Sequence, residues 1–149
     1  MQEEAINQYL TFILDDELFG INISSVREII DDKEFTKIPN TPEYLRGVIN
    51  LRGHPIPIVD MRVKFGMSET ELDVNTCAII TEVQTDGSVV QVGALADSVQ
   101  EVIEIDADEI SPPPQVAGAD SMEYLVGMAK SNDRFLMILD MEKLLADVE

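Results

Sequence analysis

Apolar residues along this chain recur at short, strand-like spacing, broken by polar turns. Tyr9 to Leu14 and Leu18 to Ile23 flank Asp15-Asp16-Glu17, the pattern of a β-hairpin. Cys77 to Val83 and Val89 to Ala96 flank Thr85-Asp86-Gly87 in the same way, with Asp-Gly the stronger turn signal. The block that starts at Gly47 predicts a third strand, turned at Arg52-Gly53 and followed by a fourth over Ile56 to Val59. Leu125 to Lys130, a turn at Asn132-Asp133 and a strand over Phe135 to Leu139 repeat that arrangement. Asp60 and Asp140 each follow a strand and precede a short apolar-periodic run, MRVKF and MEKLLADV, as the N-cap of a short helix does.

The likeness between the two parts of the chain extends to identities. Shifted by 73 residues, Gly20 to Ile30 aligns with Gly93 to Ile103 and matches at Gly20/Gly93, Ser25/Ser98, Val26/Val99, Glu28/Glu101 and Ile30/Ile103. Shifted by 80 residues, Gly47 to Met61 aligns with Gly127 to Met141 and keeps the glycine, Ile58/Ile138, Asp60/Asp140 and the methionine. The larger second offset gives the second copy a longer connection. It contains Ser111-Pro112-Pro113-Pro114, which suits neither a helix nor a central strand. Residues 1–149 therefore read as one domain with related halves over about 8–65 and 76–147, joined by a polar segment around Met67 to Asp73. Short strands, tight turns and little helix point to two small β-barrels packed together. A half of that size buries too little alone, so the halves are expected to share a hydrophobic interface.

Composition narrows the function classes. Of 149 residues 45% are hydrophobic, which excludes a disordered chain. Ten basic against 29 acidic residues give a net charge of −19. Through Lys64 there are seven basic and eleven acidic residues; from Phe65 onward there are three and eighteen. Such a field repels nucleic-acid backbones and anionic lipid. The single cysteine, Cys77, excludes an internal disulfide and a cysteine-based zinc site and fits a reducing compartment. The opening MQEEAINQYL is acidic where a signal peptide is basic, and no run reaches the roughly 18 apolar residues of a membrane span. The expected location is the cytoplasm.

Catalytic inventory is thin. His54, the only histidine, falls beside the Arg52-Gly53 turn, and Cys77 starts a strand as a small hydrophobe does. Neither phosphate-binding glycine motif is present. Asp106, Asp108 and Glu109 imitate the opening of a calcium loop but lack its glycine and closing glutamate. The expectation is a non-enzyme with no cofactor and no metal.

In a duplicated fold, differences between copies mark where a unique function can sit. Gly20/Gly93 and Gly47/Gly127 read as backbone positions that reject a Cβ, through close strand approach or positive φ. The largest chemical difference is Asn50-Leu51-Arg52-Gly53 against Lys130-Ser131-Asn132-Asp133. Arg52 offers a rigid five-donor fork suited to a partner's carboxylate; the plainer alternative is an arginine holding a local carboxylate. Val26 and Glu28 recur in the second copy, which favours structure, and Val26 reads as core before contact. Pro55 and Pro57 flank Ile56 within a strand and imply an edge, where another chain can pair.

Gly47-Val48-Ile49-Asn50-Leu51-Arg52-Gly53, then Pro57-Ile58-Val59-Asp60 and Arg62-x-Lys64-Phe65-Gly66, resemble the signature of the CheW family of chemotaxis coupling proteins. The resemblance runs nearly the whole chain, through Tyr9-Leu10-Thr11-Phe12, Gly20-Ile21-x-Ile23-x-x-Val26-x-Glu28-Ile29, Asn40-Thr41-Pro42, Glu123-Tyr124-Leu125-x-Gly127 and Glu142-Lys143-Leu144-Leu145. His54-Pro55 departs from it, standing where aliphatic residues are usual. The resemblance implies a mainly β fold of two five-stranded SH3-like barrels around a shared hydrophobic core. It also implies a non-catalytic cytoplasmic adaptor, monomeric in isolation and recruited to membrane chemoreceptor arrays, that couples chemoreceptors to the histidine kinase CheA. The receptor's helical tip would lie in a groove between the half-domains, and the kinase's regulatory domain would pack barrel to barrel. By the same resemblance Val26, Glu28, Asn50, Leu51 and Arg52 belong to the receptor-binding region, and Gly47, Pro55 and Ile56 lie near the kinase-facing hairpin. A binding module of the same fold serving a non-chemotactic pathway is the alternative.

Overall fold

A computed structural model describes residues 6–31, 33–85, 87–113 and 124–145. Asp86 of the expected Asp-Gly turn, Pro114, Glu123 and the end of the expected last helix beyond Leu145 lie outside the described residues.

The hairpins form where the turn signals stand. Asp15 and Asp16 (φ 52° and 67°), Arg52 and Gly53 (52° and 87°), and Asn132 and Asp133 (51° and 65°) are all left-handed two-residue loops. That sign matches the right-handed twist of the strands they join. They connect β1 (Ile6–Leu14) to β2 (Glu17–Asn22), β4 (Leu45–Leu51) to β5 (His54–Asp60), and β9 (Leu125–Ser131) to β10 (Arg134–Leu139). β6 (Cys77–Thr85) and β7 (Ser88–Ala96) form the remaining expected hairpin. The residue pattern by itself left out one strand in each copy, β3 (Val26–Ile30) and β8 (Ser98–Asp106). Both carry a register shift that interrupts the alternation of faces. Helices α1 (Met61–Lys64) and α2 (Met141–Leu145) follow β5 and β10. Asp60 Oδ1 accepts the Arg62 N–H and Asp140 Oδ1 the Lys143 N–H, so both aspartates cap as expected.

The ten strands form two five-stranded sheets, in the orders β8-β1-β2-β10-β9 and β3-β6-β7-β5-β4. Each sheet therefore mixes the copies: the first two strands of one copy pair with the last three of the other. The stretches 8–65 and 76–147 are units of sequence, and neither builds a sheet by itself. The seams run through the β1–β8 and β3–β6 antiparallel ladders and the β2–β10 and β5–β7 parallel ones. Each sheet curls until its outer strands approach. Reciprocal backbone bonds join Thr36 to Val48 (2.9 Å each way) in one, and Ser111 to Met128 (2.8 Å each way) in the other.

One apolar cluster fills each sheet's concave side, around Tyr9, Leu18, Leu136 and Ile138 in the first and Ile49, Ile56, Ile58 and Ile80 in the second. A third, between the sheets, gathers Leu10, Phe12, Phe19 and Ile21 with Val59, Ile79, Val83 and Val92, and with Leu144 and Leu145 of α2. This shared core lies between the two sheets, each of which draws strands from both stretches of sequence. Charged groups of α1 reach across its rim: Lys64 Nζ donates to the Leu144 carbonyl at 2.9 Å and lies 4.5 Å from the centre of the Tyr44 ring, and Arg62 pairs with Asp15 at 3.7 Å.

Candidate functional site

Arg52 occupies the first position of the β4–β5 turn in a left-handed conformation that L-residues with long side chains rarely adopt. The Asn50 side-chain oxygen accepts the Gly53 N–H at 2.7 Å and secures the turn from inside. The guanidinium is thereby aimed at β3. Arg52 Nη2 donates to Glu28 Oε1 at 2.7 Å, and Nη1 donates to Oε2 at 3.4 Å. That hydrogen bond holds the Glu28 carboxyl below its ordinary value and raises the guanidinium's. β3 and β4 are the outer strands of their sheet, so the pair bridges its seam at the end opposite the Thr36–Val48 link. The plainer alternative for Arg52, a local carboxylate, is thus realised. Yet the arginine side chain stays 68% exposed, with donors of its fork still facing solvent.

The register of β3 against β6 slips between Val26 and Glu28, leaving Arg27 as the extra residue of a bulge. Arg27 turns to Glu82 of β6, with Nη2 to Oε1 at 2.7 Å, and this contact lowers the Glu82 pKa. Two arginine–glutamate pairs therefore stand side by side on one barrel. Val26 is half-buried against the shared core, in keeping with its reading as a core residue. The second copy has Glu101 and Asn132 at the matching positions, and Glu101 instead exchanges backbone hydrogen bonds with the Thr11 hydroxyl.

An open groove of about 780 Å3 adjoins these pairs, lined by Leu51, Arg52, Pro55 and Ile56 on one side and by Glu82, Val89 and Val90 on the other. Prolines open it. In the β4–β5 ladder Pro55 faces Asn50 and Pro57 faces Val48, while the pairing of β5 with β7 begins only at Ile58 with Gly93. A proline has no N–H to offer a neighbouring strand, so β5 and β7 diverge over the Pro55–Pro57 stretch. In the second copy Phe135 and Met137 replace the prolines, and β10 is already paired with β2 at Leu136. The sequence expectation of an edge strand needs correcting here: β5 lies inside its sheet, between β7 and β4, and is an edge only along its first residues. The divergence leaves Val89 51% exposed on the far wall.

Gly47, with φ +145°, lies beneath the barrel closure. A Cβ there would stand 2.6 Å from the Thr36 carbonyl oxygen, so Gly47 is buried packing and presents no side chain to a partner. Ile56 is buried with only its edge toward the groove, and Pro55 is exposed. The structure thus brings Glu28, Leu51, Arg52, Pro55 and Ile56 to one face, puts Asn50 in support of the turn, and places Val26 and Gly47 beneath. Glu82, Arg27, His54 and Val89 join this face without having been singled out as partners. Arg27 and Glu28 among the apolar Val26, Ile29 and Ile30 are the local sign of an exposed face there.

Below the site, fully buried Asp60 accepts from Arg46 Nη1, the Thr70 N–H and the Thr70 hydroxyl, each at 2.9 Å. The network fixes the end of β5 and the segment after α1. Asp106 and Glu109 form a capping box around a short 3-10 turn, Ala107–Glu109. The Cys77 thiol donates to the Asn75 carbonyl, and burial raises its pKa, away from thiolate chemistry. No helix among the described residues is long and apolar enough to cross a membrane.

Comparison with known proteins agrees with this construction. A family model described as the CheW-like domain matches residues 8–149. The chain is 39% identical over 147 residues to the chemotaxis protein CheW of Klebsiella aerogenes, covering 99% of this chain and 86% of that protein. It is 32% identical over 142 residues to CheW of Helicobacter pylori, covering 95% and 83%. Among solved structures it is similar to the scaffolding protein TtCheW from Thermoanaerobacter tengcongensis, with a TM-score of 0.84 and 36% identity over 96% of this chain and 90% of that one.

Proposed function

The chain belongs to the CheW-like family, and from that premise we propose that it is a non-catalytic adaptor that holds a chemoreceptor's cytoplasmic tip and the histidine kinase CheA on adjoining surfaces around the β4–β5 hairpin. The receptor occupies the groove between β5 and β7, and Arg52 receives one of its carboxylates. The observation that carries this reading is the opening made by Pro55 and Pro57 beside the exposed Arg52 fork. The wall of Leu51, Ile56, Val89 and Val90 suits the apolar stripe of a helix, and the charged rim fixes its register. The groove separates a strand of the first copy from one of the second, although both belong to one sheet. Glu28 holds the guanidinium in place until a receptor carboxylate shares it.

The kinase's regulatory domain packs against the barrel near the β4–β5 hairpin, where Pro55 is exposed and Gly47 and Ile56 shape the surface from below. Coupling is then geometric: a movement of the receptor is passed to the kinase through a body with an interlocked core. The work takes place in the cytoplasm, at membrane receptor arrays.

Calorimetric titration against the CheA regulatory domain and, separately, a receptor cytoplasmic fragment tests the assignment, each repeated with Arg52→Glu. Binding to both, with the substitution weakening the receptor arm alone, is expected. Binding to neither partner from the same source overturns the adaptor reading, and equal weakening of both arms overturns the placement of Arg52.

A further inference from the structure

The two halves of this chain are joined covalently at one place and by hydrogen bonds nearly everywhere else. β1–β8, β2–β10, β3–β6 and β5–β7 are all ladders between residues before and after position 71. Within the halves only the β1–β2, β4–β5, β6–β7 and β9–β10 hairpins pair. The connection itself is slight. Thr70 is anchored to Asp60, and Cys77 starts β6; between them Leu72 and Val74 are 40% and 89% exposed. A reverse turn doubles the chain back, with the Thr76 N–H donating to the Asp73 carbonyl (3.1 Å) and the Asn75 N–H to Asp73 Oδ1 (2.8 Å). These hydrogen bonds, with those of the Thr76 hydroxyl to Glu71 and Asp73, are local, so straightening the stretch sacrifices the turn and the burial of Thr76 and leaves all four ladders available.

We propose that this chain, when folded at high concentration, exchanges halves with a second copy of itself, forming a domain-swapped dimer in which residues before the 71–76 hinge of each copy pair with residues after the hinge of the other. Every ladder and the core between the sheets re-form unchanged, so the exchange needs no new contact; domain swapping is economical for that reason. The six residues 71–76, extended at about 3.3 Å each, span roughly 20 Å between the anchored ends. The swapped dimer carries two copies of every partner face on one body, which confers avidity on an array of partners. The inference rests on topology and is independent of the adaptor assignment.

Gln8 and Glu104 face each other across the β1–β8 ladder, both exposed, at the separation a disulfide accepts. In the full chain carrying Cys77→Ser, the pair Gln8→Cys and Glu104→Cys closes within one chain in the monomer and between chains in the swapped dimer. The protein is refolded from denaturant at low and at high concentration, oxidised, and examined by light scattering and by non-reducing denaturing electrophoresis. The expected result is a shift from one-chain to two-chain mass with concentration in both measurements. Asn75→Pro, which removes the turn's N–H and disfavours the turn geometry, enlarges the dimer fraction. A chain that stays at one-chain mass throughout overturns the proposal. So does a light-scattering dimer that runs as a single chain on the gel, which would be an ordinary dimer. If Asn75→Pro fails to fold, the unaltered hinge decides alone.

Discussion

Gly93 lies beside Ile58 in the parallel β5–β7 ladder, and a Cβ on Gly93 would stand 2.5 Å from Ile58 Cδ1. Gly20 repeats the relationship in the other sheet: it pairs with Ile138, and a Cβ there would meet Leu136 Cδ1 at 3.2 Å. The glycine of each copy thus makes room for the other copy's aliphatic side chain. Gly93→Ala should cost about 1–3 kcal/mol of stability, since it overfills a packed core. Ile58→Val removes the obstructing methyl at about 0.5–1.5 kcal/mol alone. In denaturant unfolding the double variant should be less destabilised than the two single changes added together; strict additivity would mean that Ile58 is not what excludes the Cβ.

Arg52→Glu should leave the circular dichroism spectrum intact and weaken binding at the β5–β7 groove. The exchanged pair, Glu28→Arg with Arg52→Glu, restores the ion pair across the seam with its polarity reversed. Binding should remain weak in that variant, because position 52 no longer offers donors. Full recovery would show that the pair matters only as a clasp, and unfolding of Arg52→Glu would make Arg52 a structural partner.

Glu28 and Glu82 are both held below the ordinary carboxylate value, chiefly by hydrogen bonds from Arg52 and Arg27. A lowered folded-state pKa gives stability that is fully present above the unfolded value, near 4.5, and lost as pH falls through the folded one. Both pairs face solvent, so the effect is small and shrinks with salt. Glu28→Gln should flatten the acid limb of the stability profile and leave its slope between about pH 6 and 8 unchanged. A changed slope in the neutral range would contradict the assignment.

Asp60 is fully buried and serves Arg46, Thr70 and the start of α1. Asp60→Ala takes from the largely buried Arg46 its buried carboxylate, leaving Glu69 at 3.3 Å and the Thr70 carbonyl, and should cost about 3 kcal/mol, the lower end for breaking a buried pair. Asp140→Ala, whose carboxylate caps α2 from a half-buried position, should cost only about 1 kcal/mol. Thermal unfolding of the two variants side by side checks the ranking.

Residues 1–72 and 73–149, expressed separately, should each lack a cooperative unfolding transition, because either half contains only two hairpins and one unpaired strand of the final sheets. Cooperative melting of either fragment would contradict the exchange of strands between copies.

Hairpins, caps and the repeat were legible because each is a local pattern: Asp15-Asp16, Arg52-Gly53 and Asn132-Asp133 carry their turns in their own sequence. The exchange of strands was not. Ile58 and Ile138 are equivalent, as are Gly20 and Gly93, so a pattern that pairs Gly93 with Ile58 is indistinguishable along the chain from one that pairs it with Ile138. At the site, the difference between the copies pointed to Arg52, but its partner Glu28 lies 24 residues away and repeats as Glu101, where the contact is different. Val89, the first residue of an expected strand, stands exposed where two prolines on another strand withhold their hydrogen bonds.

The interlocked sheets also impose a timetable on synthesis. The strands of the β3-β6-β7-β5-β4 sheet all lie between Val26 and Ala96, so that sheet can close while the rest of the chain is still being made. β1 and β2 emerge first, yet they have only each other until β8 and then β10, ending at Leu139, leave the ribosome. The first strand translated thus waits through most of translation for its outer neighbour, with an apolar edge uncovered. A nascent chain stalled beyond Ala96 should present one finished barrel and one exposed hairpin, the species a chaperone would meet.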